Sequence, residues 1–291
     1  MFRPRGIFMK ILIAVPIFNE EKYVSPVLRE IRKYTRASAH AHNVDMRVLV
    51  IDDGSTDATP ERLAELADKN HIDLLTHPEN RGYGQSLIDA FAFASDRGYD
   101  WVITMDCDEQ HEPCRIPLFV RECLKGDADI ISGSRYLNLD AEGAPPRDRR
   151  NINRLMTELL NSSLHLRFID APINHTTGEP LPRGVTSTGG MTDSFCGFKA
   201  HRVSAMNELT LTIPGYAFPM QFWVQVDAHR LRIREIPVKL IYKDATRHFG
   251  GLLDDPSVRL QHYLEVLTTE LKVVRDHPPA LQSSECAAVC D

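Results

Sequence analysis

Three apolar runs in the first part of the chain each end in a cluster of acids and amides. KILIAVPIF (Lys10 to Phe18) runs into NEE, RVLVI (Arg47 to Ile51) into DDGSTD, and WVITM (Trp101 to Met105) into DCDEQ. Short apolar runs bounded by turn residues read as strands buried on both faces. Helical spacing separates them. Val24, Val27, Leu28 and Ile31 share one face of a helix over Glu21 to about Thr35. Asp57 or Thr59 caps the next helix, with Pro60 in its first turn. A short strand follows at Ile72 to Leu75, then the loop NRGYG (Asn80 to Gly84) and a helix to about Asp96. Beyond the third run come a helix over Pro113 to Lys125 and a strand at Asp129 to Ser132, followed by GSRY. Such alternation predicts an α/β domain with a mostly parallel central sheet flanked by helices. Ligands of such sheets lie beyond the carboxyl ends of the strands, where all three polar clusters fall.

After Tyr136 the pattern changes. Residues 137–148 read as loop, and Asn151 to Phe168 as an amphipathic helix carrying Ile152, Leu155, Met156, Leu159, Leu160 and Leu164. Asp170 to Met191 is rich in Gly, Pro and Thr and reads as an insertion. A helix over about Ala217 to His229, a strand over Arg232 to Tyr242 and a helix over Asp255 to about Asp276 complete the pattern. The reading is one domain over 9–277, in two parts, 9–136 and 137–277. Residues 1–8 form a flexible extension and 278–291 a disordered tail. At 291 residues and 43% hydrophobic content the chain can bury one large core. A formal net charge of -6 gives no reason to expect nucleic-acid binding. The six cysteines lack paired zinc spacing, so a reduced, cytosolic protein is expected. No apolar run approaches the roughly 20 residues of a membrane span, which still leaves work at the inner membrane surface open.

The stretch MDCDEQHEP concentrates the chemistry. Asp106 and Asp108 stand one residue apart, with Gln110 and His111 just beyond. A divalent cation relieves the repulsion of two such carboxylates. Oxygen ligands suit Mg²⁺ or Mn²⁺, which complete their shells with water and substrate phosphates. An isolated pair of this kind is more often a solvated acidic turn; two further clusters on the same sheet edge favour the metal. His111 reads either as a neighbour of the metal or as a partly buried support behind the ligands. Asp52 and Asp53 read either as a helix-capping pair or as contacts to a nucleobase or ribose. NRGYG is not a dinucleotide fingerprint, and no phosphate-binding loop of the Walker type occurs.

Taken in order, VPIFNE (Val15 to Glu20), IDDGSTDAT (Ile51 to Thr59), NRGYG, MDCDEQHEP and GSRY (Gly133 to Tyr136) resemble a family 2 glycosyltransferase of GT-A fold. Within it the likeness is greatest to polyprenyl-phosphate sugar synthases of the dolichyl-phosphate mannose type, over about Met9 to Leu271. The resemblance implies inverting transfer from a nucleotide-diphosphate sugar, of the GDP-mannose or UDP-glucose type, with Mg²⁺ or Mn²⁺. It assigns Pro16, Phe18, Glu20, Ile51, Asp53, Asp106, Cys107 and Asp108 to the donor. Asp108 and Gln110 would hold the metal, with Asp106 beside it. Arg135 would meet an acceptor phosphate, and Arg247 the diphosphate. DSFCGFKAHR (Asp193 to Arg202) resembles a further family segment. Three features depart from the family: Glu109 and Glu112 stand where Leu and Pro are usual, residues 173–191 have no counterpart, and the late segment ends in FGG.

The acceptor decides whether a base is needed. A polyprenyl phosphate is already anionic and needs only arginine clamps. A saccharide hydroxyl needs a general base, for which Asp193 is the candidate; the plain reading of Asp193 is a cap or turn residue. Arg147, Arg149, Arg150 and Arg154 begin the 151–168 helix, which reads either as packing on the sheet or as resting on an anionic membrane. Three functions stay open: transfer to a polyprenyl phosphate, transfer to a saccharide or other hydroxyl, and silent binding of a sugar nucleotide.

Overall fold

The computed structural model describes residues 9–70, 72–137, 141–169, 190–242 and 249–280. In chain order the elements are β1 (Lys10–Ile17), α1 (Val24–His42), β2 (Asp45–Asp52), α2 (Thr59–Asn70), β3 (Ile72–Thr76), α3 (Tyr83–Asp96) and β4 (Trp101–Thr104). A 3₁₀ turn at Pro113–Arg115 leads into α4 (Ile116–Lys125), then β5 (Ile130–Ser134), β6 (Ala141–Glu142), α5 (Arg147–Ser163) and β7 (Arg167–Phe168). The rest comprises β8 (Lys199–Arg202), α6 (Val203–Met206), α7 (Phe218–Ala228), β9 (Arg232–Pro237), β10 (Leu240–Ile241), a 3₁₀ turn at Gly251–Asp254 and α8 (Pro256–Asp276).

The main sheet runs β3-β2-β1-β4-β8-β5-β9-β7, and β6 pairs with β10 in a small separate ribbon. Neighbours are parallel except where β8 lies antiparallel between β4 and β5. Alternation along each strand feeds two cores. Leu12 and Ala14 of β1, Leu49 and Ile51 of β2, and Val102 of β4 face α3, α5, α7 and α8. Ile11, Ile13, Val15 and Ile17, with Val48, Val50, Trp101 and Ile103, face α1, α2 and α4. Burial on both faces is why these strands read as continuous apolar runs.

Several boundaries differ from the sequence reading. α1 starts at Val24 and continues to His42, where Asn43 adopts a left-handed conformation and its N–H bonds to the Ala39 carbonyl. The helix expected at 151–168 begins at Arg147 and stops at Ser163, and Phe168 belongs to β7. Ile152, Met156 and Leu160 of this helix sit in the core, so it packs on the sheet. The strand expected over 232–242 breaks after Pro237, and its second part leaves the main sheet for β6. Most of the expected insertion, residues 170–189, and residues 281–291 of the expected tail lie outside the described residues. Among the described residues no helix is long and apolar enough to cross a membrane.

Candidate active site

The loops after β1 and β2 are stitched together before they offer anything to a ligand. Asn19 stands at φ +55°, and its side-chain oxygen accepts the N–H of Thr56 at 2.7 Å. Its own N–H donates to Ser55 Oγ at 2.9 Å. The Glu20 N–H donates to Thr59 Oγ1 at 2.9 Å, and Asp57 Oδ1 accepts the Thr59 N–H that opens α2. NEE and DDGSTD therefore form one rigid lip. Asp53 extends it: Oδ1 accepts from Arg81 N at 2.9 Å and Oδ2 from Gly82 N at 2.8 Å. Buried His77 bridges Asp53 Oδ1, at 2.6 Å, to Asp89 Oδ2, at 2.9 Å. Gly82 is required there, because it stands at φ +100° and a Cβ would lie 2.4 Å from the Pro214 carbonyl oxygen.

Behind this lip, beyond β4, lies the acidic loop. Asp108 Oδ1 accepts the Gln110 N–H at 3.1 Å, and Glu109 between them is held at φ +59°. A non-glycine residue in that region costs energy that the surroundings must offset, and such strain gathers at functional sites. His111 is buried, and its Nδ1 accepts the Asp106 N–H at 3.0 Å while Nε2 lies 3.6 Å from Asp106 Oδ2. Burial lowers its pKa, against the opposing pull of Asp106, so the ring is neutral and supports Asp106 from behind. Asp106 Oδ1 is buried without a hydrogen-bond partner. Tyr83 lies beside it, and burial, then the charge of Asp106, pushes the phenol pKa well up. Gly197 closes the far side: a Cβ there would sit 2.7 Å from Asp106 Oδ2 and 2.8 Å from the Tyr83 hydroxyl. Among the described residues no three Asp, Glu, His or Cys side chains converge as a closed metal cage. An orphaned carboxylate oxygen beside a second carboxylate and an amide nonetheless fits Mg²⁺ or Mn²⁺, which take few protein ligands. It does not fit a four-ligand zinc site.

The opposite wall is basic. Arg135 Nε donates to Asp193 Oδ2 at 2.6 Å and Nη2 to Asp193 Oδ1 at 2.9 Å. Burial alone would weaken both charges. The pair's mutual attraction wins, raising the arginine pKa well above its ordinary value and holding the aspartate below its own. Asp193 is fully buried and also accepts Asn153 Nδ2 at 3.0 Å and the Arg135 N–H at 3.2 Å. Both of its oxygens are thus engaged, which is not the geometry of a base waiting for a hydroxyl proton. α5 brings Arg149 and Arg150 to the same wall. Arg149 lies over Phe249 at 4.6 Å, and Arg259 covers the same ring at 4.4 Å.

One cavity of about 610 Å³ joins the two walls. Pro16, Phe18, Glu20, Asp53, Asp106, Cys107, Asp108, Gln110 and Arg135 all line it, from four separate stretches of sequence. Ile51 does not: it is fully buried in β2 and fills the core beneath. Asp193 also stands behind the wall rather than in it. Arg247 lies outside the described residues. Sequence reasoning missed Tyr83, Asn153 and Tyr216 as lining residues, and read Arg149 and Arg150 only as a surface cluster. Tyr83 and Tyr216 stack at 6.0 Å across the floor although they are far apart in sequence.

The model of the family described as "Glycosyl transferase family 2" matches residues 12–184, more than half of the chain. The UDP-N-acetylglucosamine–dolichyl-phosphate N-acetylglucosaminyltransferase of Methanococcus voltae is 26% identical, covering 80% of this chain and 86% of its own. The undecaprenyl-phosphate mannosyltransferase of Micrococcus luteus is 23% identical over 88% of this chain and 94% of its own. Among solved structures, glucosyl-3-phosphoglycerate synthase of Mycobacterium tuberculosis, in complex with Mn²⁺, UDP and phosphoglyceric acid, superposes with a TM-score of 0.61. It shares 19% identity, with 90% of this chain and 78% of that one covered, a likeness of fold. With acidic loop, stitched lip and basic wall gathered at the carboxyl edge of a mixed, mostly parallel sheet, the chain belongs to glycosyl transferase family 2 and is a GT-A-fold glycosyltransferase similar to dolichyl-phosphate mannosyltransferases.

Proposed function

We propose that this glycosyltransferase moves a hexose of the mannose or glucose type, with inversion, from a nucleoside diphosphate to the phosphate of a polyprenyl lipid. One observation carries the reading. The carboxylate that the sequence offers as a base for a hydroxyl acceptor, Asp193, stands behind the cavity wall and spends both oxygens on Arg135, Asn153 and backbone N–H groups. An acceptor that arrives ionised needs no such base. The activities for which the Methanococcus and Micrococcus relatives are named point the same way.

The donor's base and ribose would lie along Pro16, Phe18 and Asp53, in the lip that Asn19 stitches. Its diphosphate would reach Asp106, Asp108 and Gln110, which would hold Mg²⁺ or Mn²⁺. The bound cation supplies positive charge beside the departing diphosphate. Glu109's strained backbone fixes the loop in advance, so little reorganisation accompanies bond breaking. Across the cavity, Arg135, Arg149 and Arg150 would orient the acceptor phosphate so that its oxygen approaches the anomeric carbon from the face opposite the leaving group. Tyr83 and Tyr216 stack beside this space.

The test pairs donors with acceptors. GDP-mannose, UDP-glucose and UDP-N-acetylglucosamine are each incubated with Mn²⁺ and either phytanyl phosphate or a free saccharide. Transfer to the lipid phosphate is expected for one donor, which should also raise thermal stability by binding the folded form only. Transfer to the saccharide alone would refute the lipid reading. The location implied is the cytosolic surface of a membrane. Arg147, Arg150 and Arg154 are exposed on α5, and Leu252, 81% exposed, lies near the cavity mouth next to Gly250 and Gly251. Sedimentation with anionic phosphatidylglycerol vesicles should therefore exceed that with neutral phosphatidylcholine vesicles and fall as salt rises. Equal sedimentation with both would remove the membrane contact.

A further inference from the structure

The chain that enters β8 passes behind the basic wall, and its backbone needs acceptors there. Glu235 of β9 supplies them. Its Oε1 accepts the N–H of Thr192 at 3.0 Å and of Asp193 at 3.3 Å. Its Oε2 accepts the Thr192 hydroxyl at 3.0 Å and lies 3.1 Å from the Thr192 N–H. The Thr192 hydroxyl also touches Ser134 Oγ, which accepts the Tyr136 N–H at 3.3 Å. Arg135 stands between Ser134 and Tyr136, and its fork is held by Asp193. Glu235 thus grips both neighbours of the acceptor-facing arginine: Asp193 through its backbone, and the Ser134–Tyr136 strand end through Thr192.

Glu235 is 5% exposed and does not border the cavity. Burying a carboxylate is costly, so one kept at such a place needs the bonds it makes. Resting on the function proposed above, we infer that Glu235 is a positioning residue for the acceptor: its carboxylate fixes the Thr192–Asp193 turn and so aims Arg135. Removing it would let Asp193 shift, and a phosphate clamp displaced by about 1 Å loses on the order of 10²-fold in productive orientation. Among the described residues no side-chain bond of Glu235 reaches the donor side.

Burial raises the Glu235 carboxyl pKa to about 7, with the Asp193 charge adding to the rise and the Thr192 bonds opposing it. Asp193 is the charged group facing it; Arg135 and Lys199 act on Asp193 in turn. Below about pH 7 the neutral acid keeps Oε1 as an acceptor and turns Oε2 into a donor to Thr192. The grip then survives without charge-assisted bonds. Glutamine reproduces that neutral arrangement.

The experiment uses the full chain, the donor that the wild type prefers, and phytanyl phosphate. Three proteins are compared: wild type, Glu235→Ala and Glu235→Gln. Glu235→Ala is expected to raise the acceptor KM by about tenfold or more, with donor hydrolysis changed by less than about threefold. Glu235→Gln is expected to restore most of the acceptor affinity and to lack the rise in acceptor kcat/KM that the wild type shows through about pH 7. Ionisation of the acceptor, near pH 6, shifts all three alike. Hydrogen exchange at the Thr192 and Asp193 amides should be fast in the alanine variant and slow in the glutamine variant. An unchanged acceptor KM in Glu235→Ala overturns the inference. So does a Glu235→Gln pH profile that superimposes on wild type, which decides the matter even if the alanine variant does not fold. A wild type that transfers nothing to phytanyl phosphate sinks the proposed acceptor instead, and amide exchange then tests the grip alone.

Discussion

Replacing Asp108 with alanine is expected to lower turnover by on the order of 10³-fold while the fold stays intact, because electrostatic support of the leaving group is the largest single contribution available here. Chelator-treated wild type should fall to the same level, and added Mn²⁺ should rescue wild type but not the variant. Undiminished turnover after chelation would refute the metal role. Asp106 offers a sharper companion. Its Oδ1 is buried without a partner. Asp106→Asn relieves the cost of burying that carboxylate and should stabilise the cation-free protein by about 1 kcal/mol, roughly 2–4 °C in melting temperature for a domain of this size. The same variant should lose the Mn²⁺-dependent rise in melting temperature. A variant that is both less stable and still responsive to Mn²⁺ would show that Asp106 serves packing instead.

The second large effect concerns the ion pair on the basic wall. Asp193→Ala leaves the partly buried Arg135 guanidinium charged and without its carboxylate partner, which should cost about 1.5–3 kcal/mol in urea unfolding. Arg135→Lys keeps a charge but loses the two-pronged geometry. It should lower transfer to phytanyl phosphate by about 10²-fold and hydrolysis of the donor by less than about threefold. Equal losses in the two assays would take Arg135 away from the acceptor. The aspartate's folded pKa lies below its ordinary value, so its stabilising contribution is complete above about pH 4 and is lost as pH falls through the lowered value. Neutral and mildly acidic buffers therefore leave the pair intact.

The central strands β1, β2 and β4 were legible because both faces of each are buried, so ILIAV, VLVI and WVI carry no polar interruption. β8 was not. Its sequence is KAHR, and no hydrophobic rule marks a four-residue strand with three basic side chains. Lys199 and His201 are buried nonetheless: the ammonium lies over the Trp223 ring at 5.5 Å and on the Cys196 carbonyl, and the His201 ring packs against Phe91 and Phe222. The acidic loop was readable from its own residues, since a pair of close carboxylates needs a partner wherever it sits. The partnership of Arg135 and Asp193 was not readable, because 58 residues separate them and neither residue advertises the other. The arginines of α5 were visible in the sequence. Only the course of the helix past Phe249 shows that two of them turn into the cavity.

The place of β8 in the sheet has a consequence for how the molecule comes into being. It pairs Trp101–Thr104 on one side and Ile130–Ser132 on the other, from a position about a hundred residues later than the first. Until a ribosome has released Arg202, the nascent chain carries two strands with bare edges and a first half that lacks Gly197 and its neighbours. Such distant pairings form slowly and expose sticky intermediates. A chain truncated before β8 is thus expected to aggregate, and the chain that includes it to depend on chaperones during synthesis more than its modest size suggests.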